Sequence, residues 1–126
     1  MALRDDIFTA MEEYTLSAPQ DWNTITAQRL RQSLDAKEDL FIIDVREAGE
    51  YEGGHIHGAV NIPVNELPSR VKSLPQDRNL RIVTYCATGR RSAYAAMFLR
   101  VYGYNDVRTL AGGIREWVAS GHPIEK

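Results

Sequence analysis

Ile82-Val83-Thr84-Tyr85-Cys86-Ala87-Thr88-Gly89-Arg90-Arg91-Ser92 places four apolar or β-prone residues directly before a turn rich in glycine and arginine, and a helical pattern resumes from Ser92 to Tyr102. That order predicts a buried strand, a loop and a helix. Cys86, the only cysteine of the chain, stands where the strand ends and the loop begins. The first amides of a helix have no intrahelical partner and carry the positive end of its dipole, and Arg90 and Arg91 add two fixed charges. A sulfur anion is stabilised in that setting, so Cys86 is expected to be a reactive thiol with a lowered pKa. The plain alternative is a small buried hydrophobe. A position immediately before Gly-Arg-Arg favours the reactive reading.

Outward from this segment, strands and helices alternate. Leu40-Phe41-Ile42-Ile43 reads as a buried strand ending at Asp44, Val60-Asn61-Ile62 as a shorter one, and Val107 to Leu110 as another. Thr26 is a plausible N-cap for a helix carrying Leu30 and Leu34. A further helix places Leu67, Val71 and Leu74 on one face, with Pro68 tolerable only in its first turn. Tyr94, Met97, Phe98 and Val101 form an apolar stripe closed by Gly103, and Tyr94 and Trp117 are both expected in the core. Gly112-Gly113 reads as a turn before a helix over 114–120, ended by Gly121 and Pro123. Residues 3–15, with Leu3, Ile7, Met11 and Tyr14 at helical spacing and Arg4 on another face, predict a short amphipathic helix broken by Ser17-Ala18-Pro19. The alternation argues an α/β domain with a mostly parallel sheet and helices on both faces. Sites in such sheets form beyond the carboxyl ends of the strands, where Asp44 and Cys86 both fall.

The chain has 126 residues, 44% hydrophobic and 25% charged, which suits one globular domain with a core of ordinary size. A net charge of -2 with interspersed signs gives no reason to expect nucleic acid or an anionic membrane as partner. One cysteine cannot form an internal disulfide or a multi-cysteine metal site. No apolar run reaches membrane-spanning length and no signal-peptide core is visible, so the expectation is a soluble, cytoplasmic protein.

The loop Cys86-Ala87-Thr88-Gly89-Arg90-Arg91-Ser92 is one of three separated stretches that together resemble the single-domain rhodaneses. The second runs from Asp44-Val45-Arg46-Glu47 through Tyr51 and Gly54-His55-Ile56-His57-Gly58-Ala59 to Asn61 and Pro63. The third is Gly112-Gly113-Ile114-Arg115-Glu116-Trp117 with Gly121-His122-Pro123. The resemblance spans residues 22–126 and leaves 1–21 as an N-terminal helical extension. His57 departs from it, standing where the family usually has proline. What it implies is a rhodanese-like three-layer domain with a mostly parallel five-stranded sheet, a sulfurtransferase activity, and a catalytic cysteine, Cys86, that carries a persulfide.

Thiosulfate is a dianion whose outer sulfur a thiolate can take while Arg90 or Arg91 holds the sulfonate oxygens. Arg91 is the favoured contact. The amides of Ala87, Thr88, Gly89, Arg90, Arg91 and Ser92 are expected to hold the persulfide as a backbone anion nest. Cyanide, a thiol or a protein partner would then accept the sulfur, with no metal and no cofactor required. Asp44 and Arg46 are expected to pair and brace the loop, because an unpaired Asp44 would raise the thiol pKa. His55 and His57, two residues apart on an extended segment, are expected to face opposite ways and to be structural.

Two other classes compete. Cysteine phosphatases of related fold need five residues between cysteine and arginine, whereas four separate Cys86 from Arg91. A non-catalytic binding or redox-sensing module would keep the fold and use the same loop without turnover. The Ile7, Met11 and Tyr14 face of the first helix packs on its own domain in the simplest reading, with docking or dimerisation as the alternative.

Overall fold

The computed structural model describes residues 5–126; Leu3 and Arg4, at the start of the expected first helix, lie outside them. In chain order the elements are α1 (Asp5–Leu16), β1 (Thr24–Ile25), α2 (Ala27–Asp35), β2 (Leu40–Asp44), α3 (Ala48–Glu52) and β3 (Val60–Asn61). They continue with α4 (Leu67–Arg70), β4 (Arg81–Tyr85), α5 (Arg90–Tyr102), β5 (Val107–Leu110) and α6 (Gly113–Ala119). The five strands form one sheet in the order β1-β5-β4-β2-β3, with every neighbouring pair parallel. This is the α/β architecture that the alternation of elements predicts.

Side chains alternate across β2 and β4 with the period of two that a pleated strand imposes. Ile43 and Ile82 face one core with Leu67, Val71, Leu74, Ala95, Ala96 and Leu99. Ile42 and Val83 face the other with Ile25, Leu30, Leu110, Ile114 and Trp117. The sheet is therefore sandwiched between α4 and α5 on one side and α2 and α6 on the other. Burial on both faces explains why the central strands read as continuous apolar runs.

Local chemistry sets several boundaries as expected. Thr26 caps α2 by accepting from the Arg29 amide at 3.1 Å. Gly103 ends α5 at φ +135°, a conformation that favours glycine, and the Tyr104 amide then reaches the Leu99 carbonyl at 3.0 Å. Leu67, Val71 and Leu74 are all buried, but on α4 flanked by the 3₁₀ turns Val64–Glu66 and Val71–Ser73 instead of one continuous helix. Pro68 stands at the start of α4, where its missing N–H costs nothing.

One expectation is corrected. Tyr94 is 71% exposed, and α5 turns Ser92, Ala95, Ala96 and Leu99 to the core. Small residues let the helix lie close to the sheet, so the larger stripe of Met97, Phe98 and Val101 sits on its flank. Two elements escape the sequence reading altogether: β1, only two residues long, and α3. No residue of α1 is buried; Ile7 and Phe8 stay exposed while Met11 and Tyr14 are half-covered beside α5.

Candidate active site

Strands β2 and β4 end in register, Asp44 opposite Tyr85, and Cys86 is the next residue beyond that edge. The chain then winds through Thr88 and Gly89, the latter at φ +118°, a conformation that favours glycine, into the first turn of α5. This winding turns amides inward. The Gly89 N–H donates to Cys86 Sγ at 3.1 Å, and Ser92 Oγ lies 3.5 Å from the sulfur. Burial, the largest influence, pushes the thiol pKa up, since Cys86 is only 1% exposed. The Ser92 hydroxyl and the amides of Ser92, Gly89 and Thr88 outweigh it and hold the thiol below its ordinary value.

Ser92 is itself held from three sides. Its hydroxyl accepts from Thr109 Oγ1 at 2.7 Å and has its single proton within reach of either the Gly89 carbonyl at 3.2 Å or the sulfur, while its carbonyl accepts from Thr84 Oγ1 at 3.0 Å. Strands β4 and β5 thus both orient the residue that meets the sulfur. Neither threonine is marked by sequence spacing.

The outer side of the loop is fastened by α6. The amides of Ile114 and Arg115 donate to the carbonyls of Cys86 and Ala87 at 2.9 and 3.1 Å. That approach depends on Gly113, whose φ is +61° and where an added Cβ would stand 2.5 Å from the Ala87 oxygen. The sequence reading of Gly112-Gly113 as a turn is right but omits this brace. A glycine pair at a helix start is the signal available.

Asp44 and Arg46 form a buried bidentate pair, with Nε at 3.0 Å from Oδ1 and Nη2 at 2.7 Å from Oδ2. Burial pulls the guanidinium pKa down, but the hydrogen bonds and charge of Asp44 more than offset it. Arg46 also donates to the Gly54 carbonyl at 2.7 Å and lies over the Tyr85 ring at 5.7 Å. Burial first, then the neighbouring Asp44 charge, pushes the Tyr85 phenol well up, and its oxygen accepts from the Ile56 amide at 3.1 Å. The pair therefore ties the end of β2 to the 46–56 segment beside the last residue before Cys86.

The two loop arginines diverge. Arg91 reaches across to Glu50 of α3 in a bidentate bridge of 2.8 and 3.1 Å, whereas Arg90 is exposed. Hydrogen bonding to Arg91 holds the Glu50 carboxyl at about 2. Glu50 Oε1 also accepts the Glu47 amide at 3.1 Å, closing a capping box at the start of α3. The sequence reading missed Glu50. Its Glu47-x-x-Glu50 spacing was the signal that could have found both the residue and its helix.

His55 and His57 do not diverge as expected. The chain turns at Gly58, and both rings approach Glu125: His57 Nδ1 lies 2.9 Å from Oε2 and His55 Nε2 3.6 Å from Oε1. Backbone hydrogen bonds between His55 and Glu125 of 2.8 and 2.9 Å fix the C-terminal segment there. Among the described residues, no group of three or more His, Cys, Asp or Glu side chains is arranged to hold a metal ion. No helix among them is long and apolar enough to cross a membrane.

A parallel sheet of this order, with a lone cysteine in an amide cradle at the end of its central strand, defines a class of cysteine-centred α/β domain. Residues 26–120 match the family model of the rhodanese-like domain, and the chain belongs to that family. It is 37% identical to a sulfurtransferase of Allochromatium vinosum over 102 residues, 81% of this chain and 94% of that protein. The crystal structure of a rhodanese-related protein from Thermoplasma volcanium superposes with a TM-score of 0.74 at 35% identity, covering 82% of this chain and 98% of that one. A thiosulfate sulfurtransferase of Pseudomonas aeruginosa matches with a TM-score of 0.74 at 28% identity. That match covers 95% of this chain but only 22% of the Pseudomonas protein.

Proposed function

We propose that this protein is a sulfurtransferase that carries sulfane sulfur as a Cys86 persulfide, taken from thiosulfate or an organic persulfide and passed to cyanide or a thiol. The observation that carries this reading is the seat of one buried sulfur atom at the start of α5, under the Gly89 amide at 3.1 Å and beside the Ser92 hydroxyl at 3.5 Å, which hold its thiol below the ordinary value. In the first half-reaction the Cys86 thiolate bonds to the outer sulfur of thiosulfate, the donor S–S bond breaks, and sulfite leaves with the electron pair. The anionic outer sulfur of the persulfide then receives the amides that previously faced the thiolate. In the second half-reaction an acceptor takes that sulfur and the thiolate returns, a double displacement with ping-pong kinetics.

Asp44 and Arg46 act as loop support in this scheme and do not touch the reacting atoms. Arg91 contacts the donor through the N–H groups that Glu50 leaves free, and Arg90 supplies exposed positive charge at the rim. The four-residue spacing from Cys86 to Arg91 and the engagement of Arg91 by Glu50 favour one sulfur atom over a tetrahedral phosphate as the cradle's guest. The name of the Allochromatium relative supports the same activity, and that of the Pseudomonas protein supports thiosulfate as a donor. We place the work of the chain in the cytoplasm, where a reduced thiol is maintained.

The intact mass of the reduced protein, before and after thiosulfate and then after cyanide, tests the reading. Gain of one sulfur atom on the wild type, its absence in Cys86→Ser, and its release as thiocyanate are expected. A serine variant with full transfer would end the mechanism. No mass gain with thiosulfate or an organic persulfide would leave a binding module whose cysteine does not turn over.

A further inference from the structure

Beside the Cys86 loop, between α3 and α6, lies an open cleft of about 500 Å³ whose floor includes Ala87. Its wall is aliphatic: Ile114, Val118 and Ile124, the last two 49% and 42% exposed. The wall is also fixed. Ile124 sits against Gly54, where an added Cβ would stand 2.8 Å from Ile124 Cδ1, and the adjacent Glu125 is bound to His55 through both backbone hydrogen bonds. Trp117 Nε1 donates to the Pro123 carbonyl at 2.8 Å and fastens the chain from the other side. An ion the size of thiosulfate or cyanide needs none of this surface. Bare inorganic substrates would leave the exposed faces of Val118 and Ile124 in water beside the sulfur loop, with Ile114 buried behind them.

Arg46 is neutralised by Asp44, and Glu50 is engaged by Arg91. Arg115 is exposed and has no ion pair or side-chain hydrogen bond among the described residues, while its own amide holds the Ala87 carbonyl at 3.1 Å. Among the described residues, Arg115 is thus an unpaired cation at the edge of an apolar trough that begins at the sulfur loop.

We infer that this cleft binds the organic part of a small carboxylate-bearing thiol, its aliphatic stem on Ile114, Val118 and Ile124 and its carboxylate at Arg115. The inference rests on the sulfur-transfer reading of Cys86 and names the acceptor class for that site. The acceptor thiolate bonds to the outer sulfur of the Cys86 persulfide, the Cys86 S–S bond breaks, and Cys86 keeps the electron pair as thiolate. The acceptor leaves as its persulfide. Charge complementarity selects a carboxylate over a neutral thiol, and the small open cleft suits a compact molecule.

Two measurements test this. The first compares 3-mercaptopropionate with 2-mercaptoethanol, thiols of similar size that differ in the carboxylate, as acceptors from persulfidated protein. In Arg115→Ala the ratio of kcat/KM for the acid to that for the alcohol is expected to fall about tenfold, the scale of one charge-assisted contact. Val118→Ser is expected to raise KM for both. An unchanged ratio in Arg115→Ala would overturn the inference. The second needs no turnover: amide NMR of Cys86→Ser titrated with 3-(methylthio)propionate. Shifts at Ala87, Ile114, Arg115, Val118 and Ile124 that vanish in the Arg115→Ala background are expected. Shifts without persulfide chemistry in the wild type would refute the sulfur-transfer reading and keep the cleft. Persulfide chemistry without those shifts would refute the cleft, whether the natural acceptor is a protein or cyanide alone.

Discussion

Ser92 meets the Cys86 sulfur with both hydroxyl and amide, so Ser92→Ala isolates the side-chain share of the lowered thiol pKa. Loss of that hydroxyl removes a group that favours the thiolate, and the pKa is expected to rise. The pH dependence of Cys86 alkylation reads this directly. Glu50 offers the converse sign. Its carboxyl is held at about 2 against an ordinary 4.5, chiefly by Arg91. A depressed acid contributes stability that is present above the unfolded value and lost as pH falls from about 4.5 towards 2. Glu50→Gln is expected to flatten that acid limb in urea unfolding. Because Glu50 is 38% exposed, the effect shrinks as salt is added. Asp44→Asn removes the charge that compensates buried Arg46 and is expected to cost about 3–5 kcal/mol, the scale for breaking a buried pair. Slower alkylation of Cys86 in the same variant would trace the effect to the loop, as positioning by Asp44 requires.

At the scale of elements, the sulfur loop is held between two helix starts, α5 within it and α6 against its back. Gly113 makes the second contact possible, and Gly113→Ala is expected to destabilise the fold by about 1–3 kcal/mol through strain at positive φ. The Ala87 oxygen 2.5 Å from the new Cβ adds a displacement of the loop itself. Gly121→Ala is the control. That residue also has a positive φ, +82°, but an added Cβ there meets nothing within 4 Å. A larger loss of stability in the Gly113 variant than in the Gly121 variant, with slower alkylation only in the former, is the signature of a brace. If both variants alkylate at the wild-type rate, α6 does not position the loop. The helix α5 teaches a related lesson about reading faces. Its bulkiest apolar residues suggested the buried side, yet Ala95 and Ala96 face the sheet because close approach, not residue size, decides which side packs.

For the whole molecule, hydrogen exchange is expected to be graded. The strands β2, β4 and β5 lie inside a sheet covered on both faces, and their amides are expected to exchange only through global unfolding. α1 has no buried residue and touches the domain chiefly along α5, so its amides are expected to exchange by local opening orders of magnitude faster. Protection of α1 equal to that of β4 would contradict this. The half-covered Met11 and Tyr14 support simple packing on the domain.

The amino-acid order alone determined the alternation of strands and helices, the parallel sheet, and the placement of Cys86 and Asp44 at its carboxyl edge. Apolar periodicity, Thr26, Gly89 and Gly103 are local signals, and local signals survive in one dimension. The partners came only with the tertiary structure. Glu50 stands 41 residues from Arg91, and Thr109 stands 17 from Ser92. Gly113 meets Ala87 through space, and Ile124 finds its seat on Gly54. Contacts of that separation leave no period or motif in the chain, because what brings them together is the crossover of helices over a shared sheet. The cysteine was therefore legible from its neighbours in sequence, and the environment that sets its chemistry from its neighbours in space.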